Sequence, residues 1–278
     1  MKRLLLAIFI LSVPAQQCLA YDYEFFSGEK CKVLTSDPAQ PLIRSLFTRS
    51  AGGYFKPRNF WDVGLGGELP LLSASGGAGQ VAGLNVRGDF RSRLMMKSRT
   101  VDLLNADYTG GLNLVGKRPF GLAGDLEVYI YHQSSHLGDD AVFGSDGFFY
   151  RRMNYSREVL RVLYYGALPG SASHAYGAHY ILRKDPAAPR GRLVLHYNIT
   201  VPLGRPEGRF FISSDLQSNE EHSWNADANL QFGMKLGDRS KQVFLQKLVL
   251  EFYYGYSRQG QFYDKRERHL SLGIIAHL

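Results

Sequence analysis

Residues 224–236, WNADANLQFGMKL, place Trp224, Ala226, Ala228, Leu230, Phe232, Met234 and Leu236 on alternate positions, with Asn225, Asp227, Asn229, Gln231 and Lys235 between them. Period two sustained over so long a run means a strand with one apolar and one polar face. The alternation recurs. In 81–95, Ala82, Leu84, Val86, Phe90 and Leu94 oppose Asn85, Arg87, Asp89, Arg91 and Arg93; in 101–115, Leu104, Ala106, Tyr108, Leu112 and Leu114 oppose Asn105, Asp107, Thr109 and Asn113. In 191–203, Leu193, Leu195, Tyr197, Ile199 and Val201 oppose Arg192, His196, Asn198 and Thr200. Segments near 60–71, 121–135, 149–166, 174–183, 208–216, 243–257 and 266–278 follow the same rule, and 42–48 does so over a shorter run. Gly, Pro, Asp and Ser separate them, and no stretch carries a convincing helical period. The pattern predicts an all-β chain of about 12 strands (10–12) in one domain.

Strand length separates the two folds that alternate in this way. Strands of soluble sandwiches run about five or six residues, whereas a strand tilted across a bilayer needs roughly 9–11. The runs here belong to the second class. Asp, Glu, Arg and Asn occupy mid-strand positions on the polar face, as a wet or charge-paired lumen requires. Aromatic residues gather at strand ends (Trp61, Tyr164-Tyr165, Trp224, Tyr253-Tyr254), as they do at membrane interfaces. These features predict an antiparallel transmembrane β-barrel over 42–278, with a lumen that is narrow or plugged at this strand number.

The chain ends support an envelope protein. MKRLLLAIFILSVPAQQCLA has two positive charges, an apolar core and a small-residue ending, so 1–20 reads as a secretory signal peptide cleaved after Ala20. Residues 21–41 then form an N-terminal periplasmic segment. Cleavage removes Cys18 and leaves Cys31 alone, which excludes an intramolecular disulfide. Of 33 Lys+Arg, Lys2 and Arg3 leave with the signal, so 31 face 25 Asp+Glu. A moderately basic surface suits anionic partners such as lipopolysaccharide. The ending Ser271-Leu272-Gly273-Ile274-Ile275-Ala276-His277-Leu278 resembles the signal that bacterial outer-membrane barrels present to the barrel-assembly machinery, with Leu in place of a final Phe. No phosphate loop, Cys/His metal spacing or nucleic-acid motif is present.

Counting hairpins back from a periplasmic C-terminus puts the breaks at 116–120, 167–173, 204–207 and 237–242 in the periplasm, and those at 136–148, 184–190, 217–223 and 258–265 outside. The strand at 121–135 therefore runs outward. Leu122, Leu126, Val128 and Ile130 define its lipid side, and the same parity carries on to His132, Ser134 and His136. On the next strand the lipid side of Leu160, Val162 and Tyr164 continues to Glu158, Ser156 and Asn154. A hairpin centred near Gly144 would set Ser134 across from Asn154 and His132 across from Ser156. Polar side chains thus cluster on the outer wall, where an uncompensated polar group is unfavourable.

A His able to reach a Ser, held by a third polar group, is the minimum set for acyl transfer. His132 and Ser134, two apart on one strand face, have Cβ atoms roughly 7 Å apart. His132 is the candidate base, Ser134 the nucleophile and Asn154 the orienting group, with His136, Ser156 and Glu158 nearby. Asp139 and Asp140, in the loop beyond, offer carboxylates for a divalent cation such as Ca2+; the competing reading is a solvated loop.

His132-Gln133-Ser134 resembles the His-x-Ser of outer-membrane phospholipase A and of the lipid A 3-O-deacylase barrels, in which an Asn or Glu follows on the outer wall. That resemblance implies a hydrolase of phospholipid or lipopolysaccharide in the outer leaflet. The family spacing of twelve residues beyond the serine falls on Asp146, whereas residue type, parity and the basic Arg157 that follows point to Asn154. Both stand as third members. SDPAQP at 36–41, YHQSSHLGDD at 131–140 and RRMNYSREVLR at 151–161 resemble a bacterial family known as a domain of unknown function (the 1207 family), which implies an envelope barrel and no particular chemistry. The alternative to an enzyme is a non-enzymatic barrel for lipid or lipopolysaccharide binding, adhesion or passage of a small solute. Oligomeric state is not legible in the sequence.

Overall fold

The computed structural model describes residues 22–26, 34, 36–37, 40, 42–55, 58–76, 81–97, 99–142, 151–204, 208–236 and 245–277. The expected signal peptide, Cys31, Gly144, Asp146 and Leu278 lie outside the described residues. A short strand β1 (Asp22–Phe25) precedes β2 (Ile43–Gly53), β3 (Asn59–Ser75), β4 (Val81–Met96), β5 (Val101–Lys117) and β6 (Asp125–Leu137). One helical turn, α1 (Asp139–Val142), is followed by β7 (Tyr155–Ala167), β8 (Ser173–Asp185), β9 (Leu193–Pro202) and β10 (Phe210–Asn219). β11 (Asn225–Leu236), β12 (Leu245–Tyr256) and β13 (Arg266–His277) complete the chain.

Each strand from β3 to β13 pairs antiparallel with the next, and β2 pairs with both β13 and β3. Twelve strands, β2 to β13, thereby close into a barrel with no free edge through the middle of the wall. Closure pairs strand with strand around the whole ring, the condition for crossing a bilayer with strands. β2 runs to Gly53, beyond the 42–48 read from the sequence. Ile43 pairs with Ala276, so the first and last barrel strands start and finish at one end, and the end of β6, the start of β7 and the 257–265 connection lie at the other.

Outward positions carry the apolar residues. Leu65, Leu69, Leu112, Leu114, Ile130, Leu195, Leu230, Phe232, Leu250, Phe252, Leu270 and Leu272 are all exposed, forming a belt that only lipid would cover. Inward positions carry the charges: Asn85, Arg87, Asp107, Glu127, Arg161, Asp215 and Asn229 are buried. Glu127 gathers Arg87 at 3.3 Å, Arg161 Nε at 2.9 Å and the Tyr165 hydroxyl at 2.7 Å. Arg93 spans Asp62 and Glu267, each at 2.7 Å. Desolvated charges of this kind persist only when paired and hydrogen-bonded.

Two placements differ from the sequence reading. Leu104, expected to face lipid, is an extra residue at a bulge: Arg93 pairs with Asn105 while Leu94 pairs with Leu103. The bulge reverses parity beyond it, and Leu104 joins Phe55, Phe60, Met95, Leu137, Ala141 and Phe262 in an apolar cluster under the loops. The segment 21–41, expected in the periplasm, sends Ser36 and Asp37 into the lumen. Ser36 Oγ lies 2.7 Å from Ser213 Oγ and accepts from Asn198, its carbonyl accepts from Asn229, and Asp37 lies 3.5 Å from Arg161. Side chains of the wall, with Ser36 and Asp37 among them, occupy much of the interior.

Candidate functional site on the outer wall

Parity places the site. Along β6, Asp125, Glu127, Tyr129 and Ser135 are buried, while Ile130, His132 and His136 are exposed and Ser134 is partly covered. His132, Ser134 and His136 therefore continue the lipid-facing row, as the alternation predicts. On β5, Tyr108 stands opposite Ser134 and Gly110 opposite His132; on β7, Ser156 stands opposite Ser134 and Glu158 opposite His132. The rows continue on β8, where Asp185 is opposite Ser156 and Arg183 opposite Glu158. A polar patch thus crosses three strands near the loop end of an otherwise apolar wall.

The β6–β7 register is two residues away from the expected one. Ser134 was expected across from Asn154, and His132 across from Ser156; the partners are Ser156 and Glu158. After Leu137 the chain folds through α1, whose Ala141 is buried in the apolar cluster, and β7 begins only at Tyr155. A shift of two preserves every side chain's face while changing its neighbour. In consequence His132 Nδ1 lies 3.3 Å from Glu158 Oε1, and Asn154 Nδ2 donates to Asp185 Oδ2 at 2.5 Å.

The structure brings together His132, Ser134, Ser156 and Glu158, and it keeps Asn154 at the patch's upper edge on Asp185. His136 packs edge-on against Tyr108, ring centroids 5.9 Å apart. No hydrogen bond joins His132 to Ser134 among the described contacts. An imidazole that donates its Nδ1 proton to a carboxylate keeps Nε2 free as a base, and such bonds to a nucleophile commonly tighten only with substrate bound. Beside His132, a Cβ on Gly110 would meet nothing within 4 Å. Gly110 is in register with Gly88, and Gly88 with Gly67. This shallow recess runs between the rows Leu65–Phe90–Tyr108 and Leu69–Val86–Leu112 and ends at His132.

Asp139 is paired with Arg152, and Asp140 Oδ2 accepts from the Leu103 amide at 3.3 Å. They form no metal-like group with other ligands among the described residues. Asp37, His196 and Asp215, buried in the lumen, do lie with ligand atoms within 4.8 Å of one another. His196 Nε2 is 2.6 Å from Asp215 and its Nδ1 is 3.1 Å from His179 Nε2. Arg161 and Arg258 reach the two carboxylates at 3.5 Å each. Alternation placed His196 on the polar face, but no spacing in the sequence links it to Asp37, which arrives by the insertion.

The sequence family described as Protein of unknown function (DUF1207) matches residues 8–278. No curated protein matches at a significant level. Among solved structures, outer membrane phospholipase A from Escherichia coli is similar at TM-score 0.59 and 15% identity, over 89% of this chain and 93% of that one. A Salmonella typhi outer membrane phospholipase dimer with bound calcium is similar at TM-score 0.60 and 14% identity, over 86% of this chain and 93% of that one. At such identity the likeness is one of fold. A closed twelve-stranded barrel of this shape with an apolar outer belt belongs in the bacterial outer membrane.

Proposed function

The chain belongs to the family described as Protein of unknown function (DUF1207), and from the chemistry of its outer wall we propose that it hydrolyses acyl esters of phospholipid or lipopolysaccharide in the outer leaflet. One observation carries the reading: His132, oriented through Nδ1 by Glu158 at 3.3 Å, shares a lipid-facing row with Ser134. Ser134 Oγ attacks the ester carbonyl as His132 Nε2 takes its proton. The proton passes to the departing alcohol, and water, deprotonated by the same nitrogen, releases the fatty acid and restores Ser134. Glu158 holds the imidazole and stabilises its charged form. Asn154 joins the patch through Asp185 and orients this neighbour rather than the imidazole, while Ser156 stands where a second hydroxyl can meet the substrate. The recess over Gly110 offers an acyl chain an apolar bed leading to the serine.

The test is fatty-acid release by the purified protein in detergent from phospholipid and from lipopolysaccharide, with and without Ca2+. Activity lost in Ser134→Ala and in His132→Ala is expected. Activity unchanged in Ser134→Ala removes the nucleophile, and no release from either lipid favours a barrel that binds lipid without cutting it.

A further inference from the structure

Inside the barrel, at the loop end and separated by the wall from the outer patch, residues of β4, of β6 to β12 and of the connections after β10 and β12 line a half-open cavity of about 140 Å³. Its lining is cationic and aromatic: three guanidiniums, of Arg91, Arg157 and Arg258, face a single carboxylate, Asp227, among tyrosines 131, 155, 256 and 263. Two of these arginines retain unused donors. Arg157 forks onto Glu221 through Nη1 and Nη2 at 2.6 and 3.1 Å, leaving Nε buried with no hydrogen-bond partner. Arg258 Nη2 forms an ion pair with Asp215 Oδ1 at 3.5 Å but, outside hydrogen-bond geometry, is likewise buried with no hydrogen-bond partner.

The arrangement is held in place. The connection that carries Arg258 dips into the barrel mouth, where Gly260 N donates to Asp107 at 3.2 Å and Gln261 Nε2 to the Ser135 carbonyl at 2.7 Å. A Cβ at Gly260 would come within 2.5 Å of Ser135 Cβ, so only glycine lets the segment sit this deep. The Arg258 guanidinium rests on the Tyr253 ring, 4.6 Å from its centre. Arg91 and Arg258 also wall a second, smaller cavity of about 40 Å³, where Arg44 Nε and Nη2 are likewise buried without partners. Carboxylates of Asp62, Glu251 and Glu267 line that smaller space, so an anion is favoured in the larger one.

We infer that the larger cavity binds a small oxyanion of the phosphate or carboxylate class between Arg157 and Arg258. Guanidinium donors give strong, geometrically specific bonds to such groups, and low-dielectric walls concentrate their field in the chamber. The cavity has room for a tetrahedral oxyanion with accompanying water, and the tyrosine rings can cover a small organic substituent carried by it.

Isothermal titration of the detergent-solubilised full-length protein with inorganic phosphate and with glycerol phosphate tests this. Saturable phosphate binding is expected, at least tenfold weaker in Arg258→Gln and largely restored in Arg258→Lys. Gln133→Glu, which keeps both arginines and adds a carboxylate to the lining directly across the β6–β7 seam from Arg157, should weaken binding in the same way if Arg258→Gln fails to fold. Glycerol phosphate binding as tightly as phosphate identifies a headgroup-type ligand, and its exclusion identifies the free ion. Absence of saturable binding for both probes, or equal affinity in folded Arg258→Gln, overturns the inference.

Discussion

Glu158 Oε1 stands 3.3 Å from His132 Nδ1 on the lipid-facing wall, across the β6–β7 seam. If that contact orients a catalytic imidazole, Glu158→Gln should lower kcat for lipid hydrolysis by roughly 10²–10⁴-fold with little change in KM, since the amide no longer stabilises the imidazolium. Asn154→Ala should cost far less, because its side chain bonds Asp185. Comparing the two variants in a fatty-acid release assay checks the assignment; the reverse order would restore Asn154 as the orienting group.

Gly110 leaves open space beside His132. Gly110→Leu should therefore be tolerated by the fold and should raise KM for long-chain esters while leaving a short, water-soluble ester unaffected. Steady-state kinetics on a chain-length series, with thermal unfolding as the control, measures both effects.

Within the lumen, Arg161 and Glu127 are both almost fully buried and ion-paired. Glu127→Gln leaves Arg161 with a desolvated charge and should destabilise the barrel by about 3–5 kcal/mol, whereas replacing both partners by apolar residues of similar size should cost much less. Denaturant unfolding in detergent, followed by the shift in electrophoretic mobility of the folded barrel, reads out the difference.

His222 lies in the turn between β10 and β11, outside the membrane span, stacked 3.7 Å from the Tyr256 ring. Burial lowers its pKa to about 4, against the opposing pull of Glu221. Between that value and the unfolded value of 6.5, the unfolded chain binds the extra proton, so stability falls as the pH drops through this window. With partial solvent screening the loss should amount to about 1–2 kcal/mol. The thermal midpoint from pH 7 to pH 4 should decline less steeply in His222→Gln.

Period-two alternation alone determined the strand-rich wall, its approximate strand number and the outward facing of His132, Ser134, Glu158 and Ser156. These are local properties: a strand sends successive side chains to opposite faces whatever its partner is. Tertiary structure decided which polar residue meets His132, because a two-residue shift changes the neighbour while leaving every face unchanged, so alternation cannot select it. It also decided the inward turn of Leu104, which an unpaired bulge residue permits and alternation does not announce. The lumen groups lay furthest from the sequence. Asp37 reaches Arg161 and Ser36 reaches Ser213 only because the chain before β2 enters the closed barrel, and contacts between residues so distant in the chain follow from closure rather than from pattern.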